Sequence, residues 1–169
     1  MILTGAEIRR QVDRGGITIQ PFRPDQLNPN SYNYRLGRTL LVPTERDDGG
    51  YHHTELEIPE EGYQLEPGRT YLGHTEEILG SAEFAMSLIG RSSIGRLGLF
   101  LQVSANLGQI GSVHSWTLEL VAARAIVLYP GMRIGQISFW TAAGAPDLYR
   151  QGYSRFNRPQ RSKEDGGFA

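Results

Sequence analysis

Short apolar and alternating runs follow one another along this chain, each closed by turn-forming residues, and that punctuation dictates a fold built from strands. The runs cover residues 32–36, 40–42, 56–58, 63–65, 71–73, 84–89, 99–103, 116–121, 125–128 and 134–140. Pro67-Gly68 and Pro130-Gly131 preset turns between them. Many short strands at close spacing predict an all-β barrel or sandwich. Phe139 and Trp140, at the end of the last run, are expected in its core. In residues 116–120 the two-residue period puts Trp116, Leu118 and Leu120 on one face and Thr117 and Glu119 on the other.

Few segments depart from this pattern. Thr4 and Glu7 form a T-x-x-E capping box for a short N-terminal helix with Ile8 and Val12 on one face, stopped by Gly15-Gly16. Residues 17–19 read as a strand, 23–31 as a turn-rich connection and 32–36 as a half-buried strand. Residues 44–53, with Asp47-Asp48-Gly49-Gly50, read as a mobile loop, and 92–95 as one helical turn. Residues 1–169 make one domain, with 150–169 a mobile C-terminal tail carrying Arg150, Arg155, Arg158 and Arg161.

Composition narrows the chemistry. A chain of 169 residues buries a real core. Lys+Arg number 17 against 18 Asp+Glu, a near balance that argues against a broadly DNA-coating protein. Cysteine is absent, which removes disulfides, iron–sulfur clusters, thiol nucleophiles and Cys-ligated zinc. Lys163 is the single lysine, so Schiff-base chemistry has one candidate. Charged Glu7, Arg9 and Arg10 follow the first residues at once, and no apolar run approaches the roughly 20 residues of a bilayer span. A soluble cytoplasmic protein with no nucleic-acid or membrane partner is expected.

Two segments carry chemistry. Gly90 to Leu99 places Arg91, Ser92, Ser93 and Arg96 among glycines after a strand. Forked guanidiniums, hydroxyls and helix-start N–H groups suit an anion, and an ordinary turn with a Ser cap suits the same residues. Glu119 interrupts an apolar strand, which is costly on a central strand unless the carboxylate is paired or used, and unremarkable at an exposed position. His52 and His53, in a Gly-rich loop beside Asp47 and Asp48, are read as solvent-exposed and no metal site is assigned. His74 is read as structural, and His114 fits a functional or a loop role equally.

Taken in order, these pieces resemble the dCTP deaminase branch of the dUTPase-like superfamily. The resemblance rests on Asn28-Pro29-Asn30-Ser31-Tyr32-Asn33-Tyr34-Arg35-Leu36-Gly37, then Gly90-Arg91-Ser92-Ser93 through Arg96-Leu97-Gly98-Leu99, Thr117-Leu118-Glu119, and Tyr129-Pro130-Gly131-Met132-Arg133-Ile134-Gly135-Gln136. It implies a distorted β-barrel or jelly roll with a short N-terminal helix. It also implies a homotrimer with active sites at subunit interfaces, and zinc-independent deamination of a cytosine nucleotide. Glu119 matches the acid/base, Arg96 the arginine beside it, and Ala105 the residue whose backbone helps hold the water. Arg91, Ser92, Ser93 and Gln136 match phosphate contacts. No cofactor is implied beyond Mg2+ carried on the nucleotide phosphates.

The chain departs from the family twice. Where the family has I-D-x-G-aromatic-x-G, this chain has Gly108-Gln109-Ile110-Gly111-Ser112-Val113-His114. Gln109 replaces the Asp that contacts the sugar, and Ser112 replaces the ring beside it. Altered sugar selectivity is expected, with ribonucleotides such as CTP or CMP candidates beside dCTP. The Asp also serves the phosphate chemistry of related dUTPases, so Gln109 disfavours a bifunctional deaminase and dUTP diphosphatase. A non-catalytic nucleotide-binding module is the other alternative. In the tail, Gly152-Tyr153-Ser154 stands where the family carries a phosphate-clamping lysine, leaving Tyr153 and Arg155 as candidate contacts.

Overall fold

The computed structural model describes the chain except residues 46, 48–50, 103, 146, 151–155 and 164–169, with Tyr51 described by its backbone alone. The helix Gly5–Asp13 forms as its sequence predicts. Thr4 Oγ1 caps it by accepting from the Glu7 N–H at 3.3 Å. Glu7 turns the other way, to Arg10 and Gln11, so only half of the capping box closes. Gly15, at φ +82°, ends the element.

Every strand pairing is antiparallel. One five-stranded sheet runs in the order Leu99–Leu101, Thr117–Ala122, Thr70–His74, Thr39–Glu45, Tyr51–Glu57. The other runs Leu107–Gly108, Ala85–Gly90, Arg133–Trp140, Ser31–Arg35, Leu27–Asn28. Thr18–Gln20, Ile78–Gly80 and Val113–His114 make a small third sheet, and Tyr63–Leu65 pairs with Ile126–Leu128. Neighbours distant in sequence show the crossovers of a jelly roll. Leu118 and Leu120 from the first sheet join Met86, Leu88, Ile137 and Phe139 from the second in one buried cluster. Burying such side chains, at about 2 kcal/mol each, holds the layers together. Among the described residues no helix is long and apolar enough to cross a membrane.

Four local expectations are corrected. In the loop predicted over 44–53, residues 44–45 and 51–53 are paired strand, with Pro43 opposite His53 and Glu45 opposite Tyr51. Residues 46 and 48–50 of that loop, Asp48 among them, lie outside the described residues. The strand Ser31–Arg35 is buried on both faces, because it lies inside its sheet with Glu77 and Gln26 covering the polar side. Trp140 ends its strand at the surface, 43% exposed, while Phe139 is core. The run predicted over 99–103 leaves the regular ladder after Leu101, where Gln102 takes a left-handed backbone, and Val103 lies outside the described residues.

Gly80 sets how closely the third sheet closes. A Cβ there would stand 2.0 Å from the Ser112 carbonyl oxygen and 2.6 Å from the Val113 Cα, both backbone atoms that cannot swing aside. Gly80→Ala should therefore cost about 1–3 kcal/mol by overpacking. Denaturant unfolding measures it, and an unchanged midpoint would show that the Val113–His114 strand yields freely.

Candidate active site

Glu119 sits in mid-strand between Leu118 and Leu120, which point into the core, so its own side chain emerges on the outer face of the first sheet. The register sets Leu72, Leu41 and Glu55 on that same face, and His53 returns to it two pairs further along the hairpin. This face is not open. The chain returns over it: Gln160 N–H donates to Thr117 Oγ1 at 3.1 Å, Arg161 donates to the His53 carbonyl, and Arg158 pairs with Glu55 at 3.5 Å.

Between this returning segment and the sheet lies a cavity of about 510 Å3. Glu119, Ala105, Gln109 and Ser112, all singled out from sequence, line it together. Ser104 Oγ lies 3.5 Å from Glu119 Oε2. Gln102 accepts from the Glu119 N–H through Oε1 at 2.9 Å and donates through Nε2 to the Ala105 carbonyl at 3.1 Å. Ser112, which stands where the family carries a ring, is 2% exposed. Gly111, at φ +99°, lets the Tyr149 backbone approach that segment, and Tyr149 N–H donates to the Ile110 carbonyl at 2.8 Å.

An aromatic pair forms another wall. The rings of His114 and Trp116 stack with centroids 4.3 Å apart. Trp116 Nε1 donates to the Leu79 carbonyl at 2.9 Å, and His114 is hydrogen-bonded to the Ser115 and Phe156 backbones. Burial holds the His114 ring below the ordinary histidine pKa of 6.5. His74, bonded to Thr75 and Ser115, is lowered by burial as well, in keeping with the structural reading. Both histidines favour the neutral form when folded. Their contribution to stability is therefore complete above pH ~6.5 and is lost as pH falls below it, where the unfolded chain gains protons first. Thermal melts from about pH 7.5 down to about 5.5 should show a falling Tm that flattens in a His74→Gln/His114→Gln variant. An equal slope in that variant would contradict the assignment.

The other candidates lie apart from the cavity. Arg91 precedes the short helix Ser92–Gly95 without a side-chain cap bond, and its guanidinium donates to the Arg133 carbonyl at 3.1 Å. Ser92, Ser93 and Arg96 are exposed there. Gln136 belongs to the second sheet, accepting from Ser31 Oγ at 2.9 Å. Tyr153 and Arg155 lie outside the described residues. His53, read from sequence as exposed, is 7% exposed and lines the cavity, because the hairpin register carries it onto the Glu119 face beneath Arg161. Sequence reasoning also passed over Gln102, Tyr149, Gln160 and Arg161. The Arg-rich character of the tail was the one signal for the last of these.

Comparison with known proteins gives a consistent picture. The family described as "dCTP deaminase-like" matches residues 2–142. A protein of Clostridium botulinum (strain Eklund 17B / Type B) named "dCTP deaminase, dUMP-forming" is 44% identical over 155 residues, covering 90% of this chain and 89% of its own. A Cytophaga hutchinsonii protein of the same name is 41% identical over 169 residues, covering 94% and 92%. The crystal structure of 2'-deoxycytidine 5'-triphosphate deaminase from Agrobacterium tumefaciens aligns with a TM-score of 0.67 at 25% identity. That alignment covers 83% of this chain and 48% of the other, so the chain spans about half the length of that structure. The match supports the distorted jelly-roll fold expected from sequence.

Proposed function

The chain belongs to the dCTP deaminase-like family, and from that footing we propose that it hydrolyses the C4 amino group of a cytosine nucleotide, releasing ammonia and the uracil nucleotide. The observation that carries this reading is the position of Glu119: a carboxylate on a strand paired on both sides, aimed away from the core into a nucleotide-sized cavity that Ala105 also lines. Water attacks C4 while Glu119 takes one of its protons and passes it to ring N3. Glu119 then takes the second proton from the new C4 hydroxyl and passes it to the amine as the C4–N bond breaks and ammonia leaves. The Ala105 carbonyl helps hold the attacking water.

The route is proposed as zinc-independent. Zinc deaminases combine H-x-E with P-C-x-x-C, and a chain without cysteine cannot supply that ligand set. No resident cofactor enters the scheme, and Mg2+ accompanies the phosphates.

We assign Arg91, Ser92, Ser93, Arg96 and Gln136 to phosphate and transition-state contacts in a homotrimer. Their distance from the cavity of their own chain supports sites completed by a neighbouring copy. If so, mixing inactive Glu119→Gln and Arg96→Ala proteins and reassembling them should restore activity, since some sites then receive both intact groups. Failure to complement in mixed assemblies would place both groups in one chain's site.

On the sugar side, Gln109 and Ser112 offer an amide and a hydroxyl where a carboxylate and a ring are the family pattern, and we propose that ribose is tolerated. A second reading comes from the relatives' names, which describe dUMP formation and therefore loss of diphosphate as well as the amine. Gln109 lacks the carboxylate that would activate water on the phosphate chain, so ammonia release without pyrophosphate is the favoured outcome. Incubation with dCTP, CTP, dCMP, CMP and dUTP, following both products, tests this. Ammonia from both CTP and dCTP supports the reading. Pyrophosphate in step with ammonia supports the second, and turnover of dCTP far above CTP and CMP removes the sugar claim.

A further inference from the structure

We propose that Gln102 is a positioning residue that ties the Glu119 peptide to the Ala105 carbonyl, an assignment that rests on the deaminase reading above. Among the described residues it is the only non-glycine with φ in the left-handed region, at +51°. An L-residue is held there only when its surroundings fix it, and such residues concentrate at functional sites.

The geometry explains what is gained. The ladder between Leu99–Leu101 and Thr117–Ala122 has Leu101 opposite Leu120 as its last pair. One residue further, Gln102 N–H donates to the Glu119 carbonyl at 3.3 Å, as a regular strand would. The return bond differs: Glu119 N–H donates not to a backbone carbonyl but to Gln102 Oε1, at 2.9 Å. The side-chain amide thus stands in for the missing rung, and the backbone is free to turn. That turn brings the Ala105 carbonyl back to the same amide, whose Nε2 donates to it at 3.1 Å. One planar group therefore fixes the spacing between the strand that carries the base and the carbonyl that holds the water. Because an amide has its acceptor and donor a fixed distance apart, neither partner can drift without breaking a bond. Gln102 itself touches no reacting atom in this scheme.

Two variants test the assignment. Gln102→Gly accepts a positive φ without strain, so it keeps the backbone path while removing the amide. Gln102→Met keeps the side-chain length and removes both hydrogen bonds. With dCTP as substrate, kcat should fall roughly a hundredfold in each, with KM changed less than about threefold, as expected when reacting groups are misplaced by a fraction of an ångström. The Tm of Gln102→Gly should stay within a few degrees of wild type, which separates positioning from folding. Hydrogen exchange at the Glu119 amide, read by NMR, gives an answer that does not depend on turnover. Its exchange should be at least about tenfold faster in both variants, because its acceptor is gone. A Gln102→Gly protein with wild-type kcat, or a Glu119 amide still protected in both variants, overturns the proposal. Wild-type protein that releases no ammonia from dCTP counts against the deaminase reading instead, and the exchange data still decide the role of Gln102.

Discussion

Glu119→Gln should lose about a thousandfold in ammonia release while still binding dCTP, because the substitution keeps the shape of the side chain and removes the one group assigned to carry protons. Glutamine cannot take a proton from water at neutral pH, and the cavity offers few substitutes. His114 is committed through its ring to the Ser115 and Phe156 backbones, and burial keeps it neutral. Ser104 reaches Glu119 at 3.5 Å but supplies only a hydroxyl. The Glu119 peptide bonds, to Gln102 and within its sheet, come from the backbone and survive the change. Stability should therefore be close to wild type, and kcat should carry the loss with KM little altered. A variant retaining more than about a tenth of wild-type kcat would move the proton work to another residue.

Glu77→Ala should cost about 3–5 kcal/mol, the largest stability effect expected of any single substitution here. Glu77 is fully buried and accepts from three donors: the Arg35 N–H at 2.8 Å, Arg35 Nε at 2.9 Å and Gln26 Nε2 at 3.1 Å. Its removal would leave a guanidinium that is itself almost wholly buried with Glu76, at 3.2 Å, as its remaining ion-pair partner among the described residues. Replacing the pair together, as Arg35→Met/Glu77→Leu, should be milder than Glu77→Ala alone, since no charge is then stranded. Against a typical total of about 5–15 kcal/mol, the single change threatens the folded state. Activity should suffer too. Thr75 Oγ1 donates to the Glu77 carbonyl at 2.7 Å and accepts from the Trp116 N–H at 2.9 Å, which joins this turn to the cavity wall. Urea unfolding reads the cost, and a loss under about 1 kcal/mol would mean the site relaxes or admits water.

Physical range decides which features could be read from sequence. The period of two over Trp116 to Leu120 is a local property, so the outward aim of Glu119 was legible. The capped helix and its glycine stop were legible for the same reason. Some short strands were legible too, as over Tyr63–Leu65, but Leu107–Gly108, Val113–His114 and Ile78–Gly80 show no period of their own and exist through their partners. Ser31–Arg35 alternates like a half-buried strand, yet Glu77 and Gln26, remote in sequence, bury its polar side. The cavity was half legible. Glu119, Ala105, Gln109 and Ser112 fall together as their order implied, whereas the contributions of His53 and Arg161 depend on hairpin register and on the chain folding back. Gln102 was invisible because its meaning lies in a backbone angle. The Arg91–Arg96 segment was legible as a motif, yet the fold sets it on the short helix Ser92–Gly95, apart from the residues that line the cavity.

Hydrolysis at C4 leaves an isotopic record in both products. Wild-type protein would be given dCTP carrying heavy nitrogen at the exocyclic amine, in water carrying heavy oxygen, with a zinc chelator present. Labelled ammonia should appear together with a uracil nucleotide that has gained one labelled oxygen on the base. Recovery of the cytosine ring with its amine intact, whether or not diphosphate has been released, would contradict hydrolysis at C4.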